Sequence, residues 1–184
     1  MRLKTLISCE ALQARVAELA QEISEKEKVE VLVGVLTGSF IFVADLARAM
    51  RLADLRIQFV RASSYGNGTE HSSFSVNGLE DLDIAGKNVL LVDDIFDTGH
   101  TLKNLAEEIS RRGAASVRTC ALLDKPSRRE VDFAVDYAGF TIENRFVVGY
   151  GLDYAGKYRA LPEIACLCDI QYQQDEEQVK NGGP

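Results

Sequence analysis

The sequence lacks the features that mark several large classes of protein. Its 28 acidic residues outnumber its 21 lysines and arginines, and the net charge of −7 argues against a broad basic surface for nucleic acid. No apolar run approaches the roughly 20 residues that span a bilayer. Residues 1–12 contain no continuous apolar stretch typical of a signal peptide, and no internal repeat is present. We therefore expect a cytoplasmic protein with neither nucleic acid nor membrane as a partner.

The cysteines do not have the spacing of a zinc ribbon. They are Cys9, Cys120, Cys166 and Cys168, and the second and third of them lie in apolar runs. Such positions favour reduced, buried thiols in a cytosolic protein. We therefore predict that Cys120 and Cys166 are buried.

The length and composition fit one domain. The chain has 184 residues, of which 46% are hydrophobic and 27% are charged, and these values are ordinary for a globular protein with a substantial core. Residues 171–184 are polar and glycine-ended. We predict a single domain over residues 1–170 and a disordered tail over residues 171–184.

Segments typical of strands and helices alternate along this domain. Apolar, valine-rich runs indicate buried strands, and apolar residues at helical spacing follow two of them. The alternation predicts an α/β fold whose parallel sheet is flanked by helices. The predicted segments are a helix capped by Ser8 and ending near Ser24, strands at 29–36, 55–61, 89–92, 116–123 and 164–168, and helices at 40–50 and from Thr101 onward.

The most informative stretch is residues 88–102, which read NVLLVDDIFDTGHTL. Asp93 and Asp94 follow a buried strand at its carboxyl end, where ligands bind in open α/β sheets. Residues 97–101 then lead into a helix, whose unpaired N–H groups and positive dipole end suit a phosphate. An acid pair beside an anion-binding loop indicates a ligand that carries both hydroxyl groups and a phosphate.

Two structural interpretations compete with this one. Acids after a strand can simply cap or solvate the start of a helix, which is the usual explanation for any single aspartate here. A receiver domain also ends a strand in paired acids. Its pair lies near the start of the domain, however, and no D-T-G-x-T run follows.

The stretch resembles the phosphoribosyl-pyrophosphate signature of type I phosphoribosyltransferases. The resemblance implies that family's fold, a central parallel sheet flanked by helices, with a small hood and a flexible catalytic loop. It also implies that Asp93 and Asp94 hold the ribose hydroxyls, directly or through Mg²⁺, and that Ile95 lies beside the base. The residues that would wrap the 5′-phosphate are Asp97, Thr98, Gly99, His100 and Thr101.

A second strand–turn–helix segment ends in Leu36, Thr37, Gly38 and Ser39. Taken alone, it reads as a plain turn between a strand and a helix. With the first motif in hand, it resembles the family's pyrophosphate loop, which commonly contains a non-proline cis peptide, here between Leu36 and Thr37. Thr37 replaces the family's frequent Lys or Asn, so we expect the pyrophosphate contact to use backbone N–H groups. In the first motif, Asp93 likewise replaces the family's frequent Glu.

Residues 62–77 read ASSYGNGTEHSSFSVN and are dense in serine, glycine and asparagine. A long polar stretch inside a compact domain is either a disordered connection or a functional lid. The stretch resembles the mobile catalytic loop of hypoxanthine-guanine phosphoribosyltransferases. By that analogy Ser64 and Tyr65 cover the reacting centre and exclude water. We interpret His71 as a surface residue.

The last third of the chain carries a second specific match, FVVGYGLDY at residues 146–154. In most proteins such residues would be hydrophobic core. In the family this segment binds the purine, so the resemblance implies that Phe146 stacks on the base and that Val147 and Asp153 read its edge. Asp153 would also lie near the metal, Lys125 would donate to the purine, and Arg159 would meet pyrophosphate. We predict that residues 130–165 form most of the hood.

The resemblance spans roughly residues 30 to 170 and is closest to the hypoxanthine-guanine branch of the family. It implies Mg²⁺-dependent transfer of phosphoribose from phosphoribosyl pyrophosphate to N9 of hypoxanthine or guanine, with IMP or GMP and pyrophosphate as products. Asp97 would be the general base, and a homodimer or homotetramer is expected. A sister enzyme for xanthine, adenine or a pyrimidine remains an alternative. A regulator that binds phosphoribosyl pyrophosphate and nucleic acid without catalysis is another.

Overall fold

The computed structural model describes residues 2–65 and 73–167. Within these ranges, α-helices and strands alternate along most of the chain, and a short 3₁₀ helix, Pro126–Arg128, follows the sixth strand. The elements in chain order are β1 Leu3–Ile7, α1 Cys9–Lys26, β2 Val31–Leu36, α2 Phe40–Met50, β3 Arg56–Tyr65, β4 Ser73–Asn77, β5 Asn88–Phe96, α3 His100–Arg111, β6 Ser116–Asp124, β7 Tyr137–Thr141, β8 Val147–Val148 and β9 Ile164–Leu167.

The main sheet has six strands in the order β4-β3-β2-β5-β6-β7. All neighbouring strands are parallel except β4, which is antiparallel to β3. In β5, Leu90 and Val92 pack in one cluster with residues of α1 and α2, while Val89 and Leu91 pack in the other with residues of α3. Because both faces are covered, the central strands are continuous apolar runs. The predicted α/β fold with a parallel sheet and flanking helices is confirmed.

The helix predictions are confirmed with small changes at their ends. The hydroxyl of Ser8 accepts a hydrogen bond from Ala11 N at 3.3 Å and caps α1. That helix ends at Lys26, two residues beyond the predicted end. Cys120 and Cys166 are buried, as predicted. Among the helices described, none has the length and apolar character needed to cross a membrane.

A second sheet was only partly predicted. It has three strands in the order β1-β9-β8, and β1 was absent from the sequence prediction. Four of the five residues of β1 are exposed, so its apolar alternation is weak, and antiparallel pairing with β9 determines its conformation. β7 lies inside the range predicted for the hood, but it pairs with β6 in the main sheet. The range predicted for the hood, residues 130–165, therefore includes one strand of the main sheet, and β1 of the second sheet lies outside it.

The polar stretch at residues 62–77 differs from the expected single loop. β3 continues through Tyr65, and β4 pairs back onto it with Ser64 opposite Phe74 and Tyr65 opposite Ser73. Backbone pairing makes both ends strands, although serine and asparagine are poor strand formers. The segment between the strands, with His71, lies outside the described residues. So do Cys168 and the predicted tail over residues 171–184.

Candidate active site

The acid pair lies where β5 reaches the carboxyl edge of the sheet. Asp93 is 7% exposed, and its Oδ1 accepts a hydrogen bond from Asp94 N at 2.9 Å. Burial raises the pKa of Asp93 well above its usual range, and the charge of Asp94 adds to the effect. Burial also raises the pKa of Asp94, although hydrogen bonds and the charge of Arg159 oppose the rise. Two desolvated carboxyl groups at one edge favour a ligand that brings hydrogen-bond donors or positive charge.

The loop of residues 36–39 lies directly against this pair. The peptide bond between Leu36 and Thr37 is cis, as expected. A Cβ placed on Gly38 would lie 1.7 Å from Asp94 Oδ2, so the carboxylate occupies the space that any side chain there would need. The buried hydroxyl of Ser39 donates to Val35 O at 2.6 Å. Ser39 therefore directs its hydroxyl into the protein, and the loop offers a ligand its backbone.

The segment after β8 approaches the same loop from the other side. A Cβ on Gly151, whose φ is +103°, would lie 2.0 Å from the carbonyl oxygen of Gly38. Arg159 Nη1 donates to Gly151 O at 2.6 Å, and Arg159 Nη2 lies 2.7 Å from Asp153 Oδ1. The structure thus brings together Gly38, Asp94, Asp153 and Arg159, four predicted site residues from three separate parts of the chain.

The loop of residues 97–101 lies at the start of α3. Gly99 is the N-cap residue with a φ of +94° and has no side chain with which to cap the helix. The first N–H groups of α3 therefore remain suited to an anion. A Cβ on Gly99 would lie 2.6 Å from Val131 Cγ2, so the loop packs closely on the chain that follows β6. His100 is exposed, and its Nε2 lies 3.2 Å from Glu130 Oε2.

Two arginines support this loop and were not among the predicted site residues. The guanidinium of Arg129 lies 3.2 Å from the centre of the Phe96 ring, donates to Asp97 O and pairs with Asp124. Arg128 Nε donates to Asp97 Oδ1 at 3.2 Å. The sequence offered one indication of their role, since both arginines lie a few residues after the end of a strand. Arginines at such positions are too common to identify a site.

Lys125 lies in the same group of side chains. It is 6% exposed, and its backbone N–H donates to Phe96 O at 3.0 Å. Burial lowers the pKa of Lys125, and the charge of Asp97 opposes the shift. An ammonium group held in a largely desolvated position is a strong hydrogen-bond donor toward a ligand carbonyl. Lys125 and Asp97 can therefore act on one ligand.

Phe146 and Val147 lie at the edge of the second sheet. The ring of Phe146 is half-buried and meets Tyr154 edge to face, with ring centres 5.5 Å apart. Val147 is buried and pairs with Cys166. Ile95 is half-buried on β5. Ser64 and Tyr65 belong to β3 by their backbone, but their side chains lie outside the described part of the chain.

The residues of the site fit a magnesium ion. Asp93, Asp94 and Asp153 supply carboxylate oxygens, which hard cations prefer. In the described part of the chain, no group of three or more ligating side chains is close enough to hold a metal by itself. Mg²⁺ is commonly bound by one or two carboxylates together with substrate phosphate oxygens. The raised pKa values of the acid pair indicate a place where a cation would relieve charge repulsion.

Fold and site together define a protein that binds a phosphorylated sugar or nucleotide at the carboxyl edge of a parallel sheet. A model of the phosphoribosyl transferase domain matches residues 5–155 of the sequence. The chain belongs to the phosphoribosyltransferase family. The resemblance of its motifs to that family is therefore confirmed, and so is the family fold.

Comparison with individual proteins shows which members of the family the chain is similar to. The chain is 49% identical to the hypoxanthine phosphoribosyltransferase of Escherichia coli strain K12 over 159 residues, which cover 83% of this chain and 88% of that protein. It is 45% identical to the hypoxanthine-guanine phosphoribosyltransferase of Aquifex aeolicus strain VF5 over 173 residues, which cover 91% and 96%. A crystal structure of a hypoxanthine-guanine phosphoribosyltransferase from Bacillus anthracis matches with a TM-score of 0.83 and 46% identity, and covers 89% of this chain and 98% of that one.

Proposed function

We propose that this protein transfers the phosphoribosyl group of phosphoribosyl pyrophosphate to N9 of hypoxanthine or guanine in an Mg²⁺-dependent reaction. The products are IMP or GMP and pyrophosphate, so the protein acts in purine salvage. Relatives with 45–49% identity are named for these bases. The observation that carries the proposal is the packing of the 36–39 loop against Asp94, with the loop that starts α3 and the buried Lys125 following the ends of β5 and β6 at the same edge of the sheet.

The proposed substrate position follows the three groups of residues at this edge. The 5′-phosphate lies at the start of α3, on backbone N–H groups of residues 97–101. The ribose hydroxyls reach Asp93 and Asp94. The pyrophosphate meets the backbone of the 36–39 loop and the guanidinium of Arg159, which already acts electrostatically on Asp94. This order matches the physical order of the groups along the substrate.

The purine lies between the ends of β6 and β8. Phe146 stacks on its face, and the backbone of Val147, the side chain of Asp153 and the neighbouring Ile95 contact its edge. Lys125 donates to O6. Since an ammonium group only donates hydrogen bonds, it suits a 6-oxo group and is mismatched to the 6-amino group of adenine. The site therefore favours 6-oxopurines.

In the reaction, Asp97 accepts the N7 proton of the purine while Lys125 polarises O6. Positive charge develops on the ribose as pyrophosphate leaves, as in other glycosyl transfers. Mg²⁺, held by Asp93, Asp94 and Asp153 together with substrate oxygens, would neutralise charge on the leaving group. Arg159 adds positive charge from this chain. Ser64 and Tyr65 cover the reacting centre and exclude water.

A homodimer or homotetramer is part of the proposal. On β3, Ile57 is 47% exposed and Phe59 is 38% exposed, and Phe40 at the start of α2 is 39% exposed. Ile57 and Phe59 are two residues apart on one strand and so face the same side of the sheet, and large apolar side chains exposed together favour a protein contact. Light scattering of the purified protein measures its mass directly, and a monomer at micromolar concentration would contradict this part of the proposal.

The regulator alternative has less support. The net charge of −7 is unfavourable for nucleic acid. A protein that only bound phosphoribosyl pyrophosphate would also have no need of Asp97 and the buried Lys125 beside it. Sister enzymes for other bases differ mainly in the purine contacts, so substrate preference must be measured.

The test is to incubate the purified protein with phosphoribosyl pyrophosphate, Mg²⁺ and each of hypoxanthine, guanine, xanthine, adenine and uracil, and to follow nucleotide formation. We expect turnover of hypoxanthine or guanine that a chelator abolishes and added Mg²⁺ restores. Turnover of adenine or uracil alone would contradict the roles of Lys125 and Phe146. Binding of phosphoribosyl pyrophosphate without turnover of any base would favour the regulator.

A further inference from the structure

A tyrosine outside the proposed reaction anchors the segment that carries Asp153 and Arg159. Tyr150 is 6% exposed, and its hydroxyl donates to Asp45 Oδ2 of α2 at 2.6 Å. Burial raises the pKa of Tyr150, and the hydrogen bond and charge of Asp45 raise it further. The hydroxyl therefore stays protonated, and remains a donor to Asp45, throughout the neutral range.

This hydrogen bond lies beside the place where the segment of Gly151 packs on the 36–39 loop. α2 begins directly after the 36–39 loop, and Val43 N donates to Ser39 O at 2.8 Å. Tyr150 immediately precedes Gly151, whose backbone packs on the carbonyl oxygen of Gly38. Gly151 N in turn donates to Arg159 O at 2.9 Å. A shift of Tyr150 relative to α2 would therefore move Gly151 and Arg159 away from the 36–39 loop.

The backbone conformation of Tyr150 indicates that a tyrosine side chain is required at this position. Its φ is +49°, in the left-handed region that is unfavourable for residues with a Cβ. Its N–H donates to Leu161 O at 2.8 Å, which holds the turn in this conformation. Glycine would adopt this backbone with less strain, whereas only a long side chain with a hydroxyl reaches Asp45. A strained residue that makes a specific buried contact beside a ligand site suggests a functional constraint.

We propose that Tyr150 is a positioning residue for pyrophosphate binding. Through Asp45 it holds the segment of Arg159 against the 36–39 loop, so that the guanidinium and the loop backbone bind one pyrophosphate group from two sides. This inference rests on the proposed function of the site. It differs from a purely structural role because it requires selectivity between the two substrates. Loss of the hydroxyl weakens pyrophosphate binding much more than purine binding, since Phe146 and Val147 are held by their pairing with β9 and only Asp153 of the purine contacts lies in the anchored segment.

The main test compares Tyr150→Phe with a matched control, Tyr137→Phe. Tyr137 is also 6% exposed, and its hydroxyl also donates to a carboxylate, Oε1 of Glu27 just after α1, at 3.0 Å. That contact lies at the carboxyl end of α1, away from the site residues. Both variants lose one buried hydroxyl, so they should lose similar thermal stability, and only the first should affect the site.

The measurements are kcat, the KM values for phosphoribosyl pyrophosphate and hypoxanthine, and the Kd of inorganic pyrophosphate with Mg²⁺ by calorimetry. We expect Tyr150→Phe to raise the KM for phosphoribosyl pyrophosphate and the Kd of pyrophosphate by about five- to twentyfold. This is the lower part of the effect of a hydrogen bond to a charged group, about 10- to 150-fold, because the bond acts on the ligand only through the position of Arg159. The KM for hypoxanthine should change by less than about twofold. Equal changes for both substrates, or values like those of Tyr137→Phe, would overturn the proposal.

Substitutions at Asp45 provide the second arm and do not depend on Tyr150→Phe folding well. Asp45→Leu removes the acceptor and should reproduce the Tyr150→Phe values, while the double variant should add little. Asp45→Asn keeps an acceptor and should recover most of the binding. If the unsubstituted protein neither turns over substrate nor binds pyrophosphate, the proposed function fails. If it does both, and Asp45→Leu matches the unsubstituted protein, only the role of Tyr150 fails.

Discussion

The loops after β2 and β5 have the same place in the fold, but different interactions hold them. Each joins a buried strand to a helix through small residues. The 36–39 loop is held by close backbone packing, since Gly38 contacts Asp94 on one side and Gly151 on the other. The 97–101 loop is held by side chains, since Arg129 and Val131 support it from the chain after β6. The first loop therefore depends on the absence of side-chain atoms, and the second depends on particular cations.

This difference affects what each loop can tolerate. A close backbone contact has no room to adjust, so an added methyl group must displace a group of the site. A loop supported by arginine side chains has partners that can move, so single changes there should act mainly through charge and stability. Four predictions test the contrast, beginning with the largest expected effect.

The first prediction concerns the chemical role of the 97–101 loop. Asp97→Asn keeps the size of the side chain and removes its ability to accept a proton as a base. We expect turnover to fall by about two to four decades, the usual contribution of a positioned acid–base group. The KM for phosphoribosyl pyrophosphate should change little, because the loop backbone is intact. Steady-state kinetics measure both values, and near-normal turnover would remove Asp97 from this role.

The second prediction compares the two loop glycines directly. In Gly38→Ala the new methyl group overlaps Asp94 Oδ2, which must move away from its place. We expect the KM for phosphoribosyl pyrophosphate to rise at least about tenfold with little change in melting temperature, because the displaced group is the end of a side chain that we propose binds substrate.

The matched change, Gly99→Ala, should mainly lower the melting temperature and change the KM for phosphoribosyl pyrophosphate much less. A residue with a Cβ at a φ of +94° is strained by about 1–2 kcal/mol, so the melting temperature should fall. A larger residue at Gly99 should lower activity more than truncation of Thr98 or Thr101, since in the proposed site these threonines contact the 5′-phosphate through their backbone N–H groups. Equal effects of the two alanine variants on KM would contradict the contrast between the loops.

The third prediction separates the two arginines that contact Asp97. Arg129 is only 17% exposed on its side chain and pairs with Asp124, which is 20% exposed. Arg129→Met should therefore destabilise the protein by about 3 kcal/mol, as for other mostly buried ion pairs that lose one partner. Arg128 is 46% exposed, and Arg128→Met should cost less than about 1 kcal/mol. Denaturant unfolding measures both, and a loss of less than about 1 kcal/mol in Arg129→Met would mean that Arg129 does not support the loop.

The fourth prediction, with the smallest expected effect, concerns the stability that the folded protein loses by burying the charge of Lys125. Burial lowers the pKa of Lys125 in the folded protein, so between that value and the unfolded value the folded state binds fewer protons, and stability rises with pH. At pH values below the lowered pKa of the folded state, both states are charged and the full cost is present. Lys125→Met should therefore raise the melting temperature most at the low end of the pH range in which the protein is stable.

The pH dependence of this gain provides its control. It should shrink as pH rises toward the ordinary lysine pKa of about 10.4, because the unsubstituted protein then releases the buried charge as well. Purine turnover should fall in Lys125→Met at every pH. A gain in melting temperature that did not depend on pH would show that added apolar packing, and not the buried charge, was responsible.

Much of the site could be predicted because its groups are contiguous in the sequence. Asp93, Asp94 and Gly99 belong to one run, and a buried strand followed by a helix places them at one edge of the sheet by local rules alone. The cis peptide at Leu36 was expected from a four-residue resemblance. The contacts of Arg129 and Tyr150 could not be predicted, because their partners Asp97 and Asp45 lie far away in the sequence and no pattern specifies their distance.

The sequence by itself determined the α/β fold, and the resemblance of residues 88–102 and 146–154 to motifs of the family indicated the candidate site, because periodicity and motifs are local properties. The tertiary structure decided how these parts meet. It placed Gly151 on Gly38, joined β1 to the second sheet and β7 to the main sheet, and turned residues 62–65 into strand. These outcomes depend on close packing and backbone pairing between segments far apart in the chain, and a sequence pattern contains no measure of either.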